Sequence, residues 1–164
     1  MTNLPFTPMK ATDYDESIVK HWPYIIMQPK LRGLCCWLQD GIPHTRKGGC
    51  YNVFPNGWFP DLRSSIHLIG ELWHSSMSQQ DIQGAVVRND FTEDTAKVKL
   101  HVFDCYDADQ PGLTQMQRFD LLNELPNHPH IEPIKATKVT WDVSEDWYTA
   151  YLFQKYEGSI YRHP

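Results

Sequence analysis

Apolar runs of strand length, separated by turn residues, recur along most of the chain. Five of these runs are predicted strands: 23–28, 34–39, 67–73, 98–106 and 131–139. The pair Asp40-Gly41 follows the second run and predicts a hairpin whose return strand begins at Ile42. A turn at Glu157-Gly158 leads into a final strand. The pattern therefore predicts a chain built mainly from antiparallel strands.

Helical spacing of apolar residues is confined to a few segments. Three helices are predicted, over 78–86, 113–125 and 144–156. Ser78 is expected to cap the first helix, with Asp81 as its capping-box partner, and Ser144 to cap the third. Met116 and Phe119 belong to the predicted buried face of the second. Residues 1–20 are expected to form an extended arm with a short helix, and 61–65 the end of another. The predicted class is α+β, with mainly antiparallel sheets.

Length and composition limit the class of protein. The 164 residues, of which 41% are hydrophobic, suit one globular domain spanning 1–164. The net charge of −5 argues against strong binding to DNA by this chain alone. No signal peptide is expected in 1–20, and no apolar run is long enough to span a bilayer. Four cysteines without CxxC spacing are expected to be free thiols in the cytoplasm.

Several strands carry a polar group among apolar neighbours. These groups are Lys30, Arg46, Glu71, Phe103 with Asp104, and Glu157-Gly158. A buried charge is costly unless it is paired or used, so their recurrence predicts one convergent site. Lys30 has two interpretations on its own. An amine held against apolar surroundings becomes a nucleophile, whereas a lysine at a hairpin turn is an ordinary surface residue.

The order of these groups resembles the nucleotidyltransferase domain of ATP-dependent DNA ligases, especially the small bacteriophage type. That family has a Lys-x-Asp-Gly-x-Arg motif, then Ser/Thr-Arg-x-Gly, Asp-Gly-Glu-Leu, Phe-Asp and Glu-Gly motifs. The matching segments here are 28–33 (QPKLRG), 45–48 (TRKG), 69–73 (IGELW), 101–104 (HVFD) and 156–162 (YEGSIYR). The segments 78–85 and 8–11 also resemble family segments. The resemblance implies a two-sheet nucleotidyltransferase fold with flanking helices.

The resemblance also implies roles for individual residues. Lys30 matches the lysine that becomes attached to AMP, and Gln28 a residue near the adenine edge. Arg46 matches the arginine that contacts ribose and the 5′-phosphate at a nick. Phe103 matches the aromatic residue that stacks on adenine. Two acidic residues match groups that contact ribose and the metal: Glu71 and Glu157. The implied cofactors of an active enzyme are ATP and Mg²⁺, and the implied partner is nicked DNA.

The chain departs from the family pattern at several positions. Arg32 stands where the family has aspartate, Cys35 where it has arginine, and Ile69 where it has aspartate. The family's Lys-x-Lys strand and oligonucleotide-binding-fold domain do not occur within the 164 residues, so a C-terminally truncated domain is expected. We interpret the chain as a catalytically impaired or inactive homologue that binds a nucleotide, DNA, or a host or phage protein as a regulator. The alternative is an active domain that forms lysyl-AMP at Lys30 and seals 5′-phosphate nicks in DNA replication or repair.

Overall fold

The computed structural model describes residues 11–163, which form two β-sheets with helices packed against them. The strands are β1 (Ile25–Lys30), β2 (Leu34–Gln39), β3 (Ile42–Thr45), β4 (Ile66–Trp73), β5 (Lys99–Asp107), β6 (Ile131–Pro133), β7 (Thr137–Val139) and β8 (Gly158–Arg162). The helices are α1 (Glu16–Val19), α2 (Gln79–Val86), α3 (Glu93–Lys97), α4 (Gln115–Asn123) and α5 (Ser144–Phe153), and one 3₁₀ turn covers Trp141–Val143.

The strands divide into a three-stranded and a five-stranded sheet. The smaller sheet has the order β7-β1-β8, and both of its pairs are antiparallel. The larger has the order β3-β2-β4-β5-β6, in which only β5 and β6 run parallel. The predicted α+β class with mainly antiparallel sheets is confirmed. No helix within residues 11–163 is both long and apolar enough to cross a membrane.

Strand β1 belongs to two cores because its side chains alternate between two faces. Ile25 and Met27 pack with Val139 and Tyr151 in the smaller core, beside α5. Ile26 points the other way and joins the larger core, which the five-stranded sheet forms with α2 and α4. Gln28 and Lys30 lie two and four residues after Ile26. They therefore continue the row of β1 side chains that faces the larger sheet.

One predicted turn and one predicted helix cap are present as expected. At the tip of the β2–β3 hairpin, Asp40 and Gly41 both have positive φ, 49° and 72°, which the favoured two-residue hairpin turn requires. Helix α2 begins with the predicted capping box, since Ser78 accepts a bond from the Asp81 backbone and Asp81 accepts one from the Ser78 backbone.

Other predictions for single elements were wrong. The segment 131–139 is not one strand, because β6 joins the larger sheet and β7 the smaller one. Residues 61–65 contain no helix. Met116 is exposed on α4. Ser144 is inside α5 rather than its cap, and its hydroxyl donates to the Trp141 carbonyl oxygen at 2.8 Å.

Helix α3 was not expected from the sequence. It has only five residues, too few for a helical repeat of apolar positions to be visible, and Thr92 with Thr95 forms its capping box. The predicted arm over 1–20 contains α1, while residues 1–10 lie outside the described part of the chain.

Candidate functional site

Lys30 and Glu157 meet at the end of the smaller sheet. The Lys30 Nζ atom lies 2.6 Å from Glu157 Oε2, and the two side chains are 40% and 36% exposed. Their backbones are also joined, because the Glu157 N–H donates to the Lys30 carbonyl oxygen at 2.9 Å and Lys30 pairs with Gly158 in the strand ladder. Lys30 is therefore a half-exposed, ion-paired lysine rather than one enclosed by apolar side chains.

The expected hairpin at Lys30 is absent, because β1 and β2 belong to different sheets. Residues 31–33 instead carry the chain from one sheet to the other. Gly33 makes that crossing close to β4, since a Cβ atom there would lie 2.3 Å from the Leu72 carbonyl oxygen. Only glycine fits this approach without moving the backbone.

Glu71 faces this crossing from the larger sheet. Burial raises the pKa of Glu71 to about 7, although a backbone hydrogen bond from Gly33 and the charges of Lys30 and Arg46 act to lower it. The charge of Glu157 raises it further. Lys30, Arg46 and Glu157 are thus close enough to Glu71 to influence its pKa.

The cross-strand neighbours of Glu71 do not counteract the burial that raises its pKa. Cys35 on β2 and His101 on β5 lie directly opposite Glu71, and directly opposed residues share a face of the sheet. Burial also lowers the pKa of His101 and so favours its neutral form. Because Cys35 carries no positive charge, neither neighbour offsets the burial of the carboxylate. We call Lys30, Glu157, Glu71 and Cys35 the lysine end of the site.

Phe103 lies at an irregularity in β5. The ladder with β4 pairs Asp104 with Ile69 and Val102 with Gly70, so Phe103 is the extra residue of a β-bulge. The Phe103 side chain is half-buried, and the Arg162 guanidinium lies over its ring, 5.4 Å from the centroid.

Gln28 is buried and its amide group is engaged inside the protein. Its Nε2 atom donates to the carbonyl oxygens of Phe103 at 3.2 Å and Ile134 at 3.3 Å. Its Oε1 atom accepts a 2.8 Å bond from Arg162 Nε. Both amide hydrogens and one lone pair are thus used. Gln28 links the smaller sheet to the larger one, and its expected contact with adenine stays a prediction.

A buried ion network completes this region, and the sequence predicted roles for none of its members. Asp104 accepts bonds from Arg118 Nε at 2.7 Å and from Arg162 Nη1 at 3.2 Å. Gln115 donates to Asp104 at 3.2 Å and accepts from Arg118 Nη2 at 2.6 Å. The sequence feature that indicated this network was the charged residue Asp104 inside an apolar strand. We call Gln28, Phe103, Asp104, Arg118 and Arg162 the base end of the site.

The donor set suits a metal held together with a substrate. Within residues 11–163, no group of three or more His, Cys, Asp or Glu side chains could hold a metal ion alone. Mg²⁺ is usually bound through one or two carboxylates and substrate phosphates. Glu71 and Glu157 fit that arrangement. Two surface pockets, of 350 and 410 Å³, are lined by other residues and do not include any candidate site residue.

Solved structures with the same fold include DNA ligases. A Lig E DNA ligase matches with a TM-score of 0.75 and 20% identity over 94% of this chain and 60% of that one. The Chlorella virus DNA ligase-adenylate matches with 0.71 and 20%, over 91% and 56%. The ATP-dependent DNA ligase of bacteriophage T7, in complex with ATP, matches with 0.70 and 13%, over 95% and 63%.

These matches define the class of fold. The chain has the nucleotidyltransferase-domain fold of ATP-dependent DNA ligases, and it spans about 60% of the length of these structures. The resemblance read from the motifs is confirmed at the level of the fold. No protein-family model and no curated protein sequence matches the chain.

Proposed function

We propose that the chain binds ATP between its two sheets, with Lys30 at the point where AMP is attached, and that its adenylyl transfer is strongly reduced. The observation that carries this proposal is the convergence of Lys30 on β1, Glu71 on β4 and Glu157 immediately before β8. Phe103 on β5 supplies an aromatic ring on which a base can stack. Arg46, half-buried near Glu71, supplies a cation for ribose or phosphate.

The contact between Lys30 and Glu157 supports the attachment chemistry. In such a reaction the amine of Lys30 attacks the α-phosphorus, a P–N bond forms, and the bond to the β-phosphate oxygen breaks to release pyrophosphate. The attacking amine must lose a proton, and Glu157 Oε2 lies 2.6 Å away to accept it. Glu71 and Glu157 would hold Mg²⁺, which would supply neutralisation of the negative charge on the phosphates.

Two residues support a reduced rate. Arg32 reverses the charge that the resemblance implies two residues after Lys30, and it is exposed. Cys35 stands where the resemblance implies a cation, so no charge at that position opposite Glu71 counteracts the burial that raises the pKa of Glu71 to about 7. A single contact that stabilises a transition state is typically worth about 3–4 kcal/mol, so two losses lower the rate strongly.

The second candidate is an active adenylation domain that forms lysyl-AMP and passes AMP to a 5′-phosphate at a nick. The close Lys30–Glu157 pair favours it, because an amine with a proton acceptor at hydrogen-bond distance is already arranged for attack. We also propose nicked DNA as the macromolecular partner and the cytoplasm as the location. A host or phage protein partner remains the alternative for a chain without turnover.

ATP binding is the direct test of the proposed function. Titration calorimetry with ATP and Mg²⁺ should detect binding, and Phe103→Ala should weaken it about fivefold or more, because base–aromatic stacking is worth about 1–3 kcal/mol. Phe153→Ala is the matched control, since Phe153 is 90% exposed at the end of α5. Failure of the wild-type chain to bind ATP, or equal effects of the two variants, would contradict the proposal.

A further inference from the structure

Arg162 contacts three parts of the base end at once. Its Nε atom donates to Gln28, its Nη1 atom to Asp104, and its guanidinium covers the ring of Phe103. Gln28 lies on β1, whereas Phe103 and Asp104 lie on β5. Arg162 lies on β8 of the smaller sheet and therefore joins the two sheets at Asp104, the residue next to the bulged Phe103.

The position of Phe103 depends on these contacts more than on the strand ladder. At the bulge, Phe103 has no partner residue on β4, so the ladder does not fix its backbone there. The Phe103 carbonyl oxygen instead accepts a bond from Gln28, whose own oxygen is held by Arg162. Its neighbour Asp104 is held by Arg162 and Arg118. The ring of Phe103 is covered on one face by the same guanidinium.

Lys30 is connected to the same contacts through a short strand segment. Gln28 lies two residues before Lys30 on β1 and on the same face of the strand. Any shift of Gln28 relative to Phe103 would therefore change the distance between the Lys30 amine and the Phe103 ring. A nucleotide that stacks its base on Phe103 and presents its phosphate to Lys30 needs that distance to be constant.

We propose that Arg162 is a positioning residue, which fixes Phe103 relative to Lys30 by holding Gln28 and Asp104 together. Gln28 then serves as a link between sheets rather than as a reader of the adenine edge. The nucleotide base then stacks on the face of the Phe103 ring that Arg162 does not cover. The consequence for nucleotide binding rests on the function proposed above, whereas the contacts of Gln28 can be tested without a nucleotide.

The first test measures the Gln28 amide by NMR. Its side-chain protons should exchange slowly with solvent in the wild-type chain, because both are bonded in a buried site. Arg162→Lys should speed that exchange at least about tenfold, since one ammonium cannot hold Gln28 and Asp104 in a planar fork. Arg63→Lys is the control, because Arg63 pairs with the other buried aspartate of β5, Asp107. Equal protection in the Arg162 and Arg63 variants would overturn the proposal.

The second test compares ATP with inorganic tripolyphosphate, which has no base. Arg162→Lys should weaken ATP binding about five- to tenfold and leave tripolyphosphate binding unchanged. Combining it with Phe103→Ala should add little further loss, because both changes disturb the same stacking contact. A full additive loss, or equal weakening of both ligands, would overturn the positioning role. If the wild-type chain binds no ATP, the proposed function fails, and the NMR test alone decides whether Arg162 holds Gln28.

Discussion

The two ends of the site use charge in opposite ways. At the base end, the side chains of Asp104 and Arg162 are 10% and 16% exposed and bond to each other, and Arg162 also bonds to Gln28. Burial lowers the pKa of Arg162, and the charge of Asp104 opposes that shift. At the lysine end, Lys30 and Glu157 form one pair that is more than a third exposed. Glu71 lies behind that pair with no ion-pair partner among the described residues.

This difference separates positioning from reactivity. Buried ions with complete hydrogen bonding hold one geometry, because any rearrangement leaves a charge unpaired in a region of low dielectric. An exposed pair costs little to break, so Lys30 can leave Glu157 when a ligand enters. We infer that the base end maintains the spacing of the two sheets, and that the lysine end contains the groups available for chemistry.

The largest effect is expected from breaking the base end. Asp104→Leu leaves the guanidinium groups of Arg118 and Arg162 without their carboxylate, and the free energy of unfolding should fall by about 3–5 kcal/mol. Urea unfolding measures the loss. Asp94→Leu is the control, because Asp94 and Lys97 form an exposed pair on α3, and it should cost less than about 1 kcal/mol. Similar losses in the two variants would show that the buried network contributes no more to the free energy of unfolding than an exposed ion pair does.

An intermediate effect is expected from Glu71, through pH. Because its pKa is about 7 in the folded chain and about 4.5 otherwise, the folded state binds the extra proton between these values. The contribution of Glu71 to stability therefore falls as pH rises from about 4.5 to 7 and then stays constant. Glu71→Gln should remove this dependence. The free energy of unfolding of the variant minus that of the wild type should therefore increase by up to about 3 kcal/mol between pH 4.5 and pH 8.

The Glu71 prediction is measured as the difference between wild-type and Glu71→Gln unfolding free energies across that pH range. Asp81→Asn is the control variant, because Asp81 is exposed at the start of α2, and capping lowers its pKa instead. Its difference from the wild type should therefore show no fall between pH 4.5 and 7. A flat difference for Glu71→Gln would contradict the burial of an unpaired carboxylate at the lysine end.

The smallest effect on stability is expected from Lys30 itself. Lys30→Met removes the pair with Glu157 and should change the free energy of unfolding by less than about 1 kcal/mol, because both side chains are well exposed. Arg162→Met, at the base end, should cost clearly more. The same urea titrations provide both values. A loss at Lys30 that equals the loss at Arg162 would remove the distinction between the two ends.

The elements that sequence predicted best are those with a local cause. The β2–β3 hairpin follows from Asp40-Gly41, and α2 follows from the Ser78–Asp81 capping box. Both depend on residues a few positions apart. The prediction that Lys30 and Glu157 share a site came from polar groups in apolar strands and from the resemblance over the whole chain, and the structure places the two side chains in contact.

The features that sequence missed depend on contacts between distant segments. Nothing local separates a hairpin from a crossing between sheets, so the interpretation of Lys30 as part of a hairpin turn was wrong. The role of Arg162 rests on Gln28, 134 residues away, and on Asp104, 58 residues away. The burial of Asp104 and the bulge at Phe103 are likewise products of tertiary packing. The sequence indicated Gln28 and Phe103 in advance through the resemblance, and Asp104 through the placement of a charged residue inside an apolar strand.

The most direct test of the central claim is attachment of AMP to the chain. The wild-type chain, the Arg32→Asp/Cys35→Arg double variant and Lys30→Ala are each incubated with α-³²P-labelled ATP and Mg²⁺, and the label retained by the denatured chain is measured over time. We expect slow labelling of the wild type, labelling at least about tenfold faster in the double variant, and none in Lys30→Ala. Equal rates in the wild type and double variant, or label that persists in Lys30→Ala, would contradict the account.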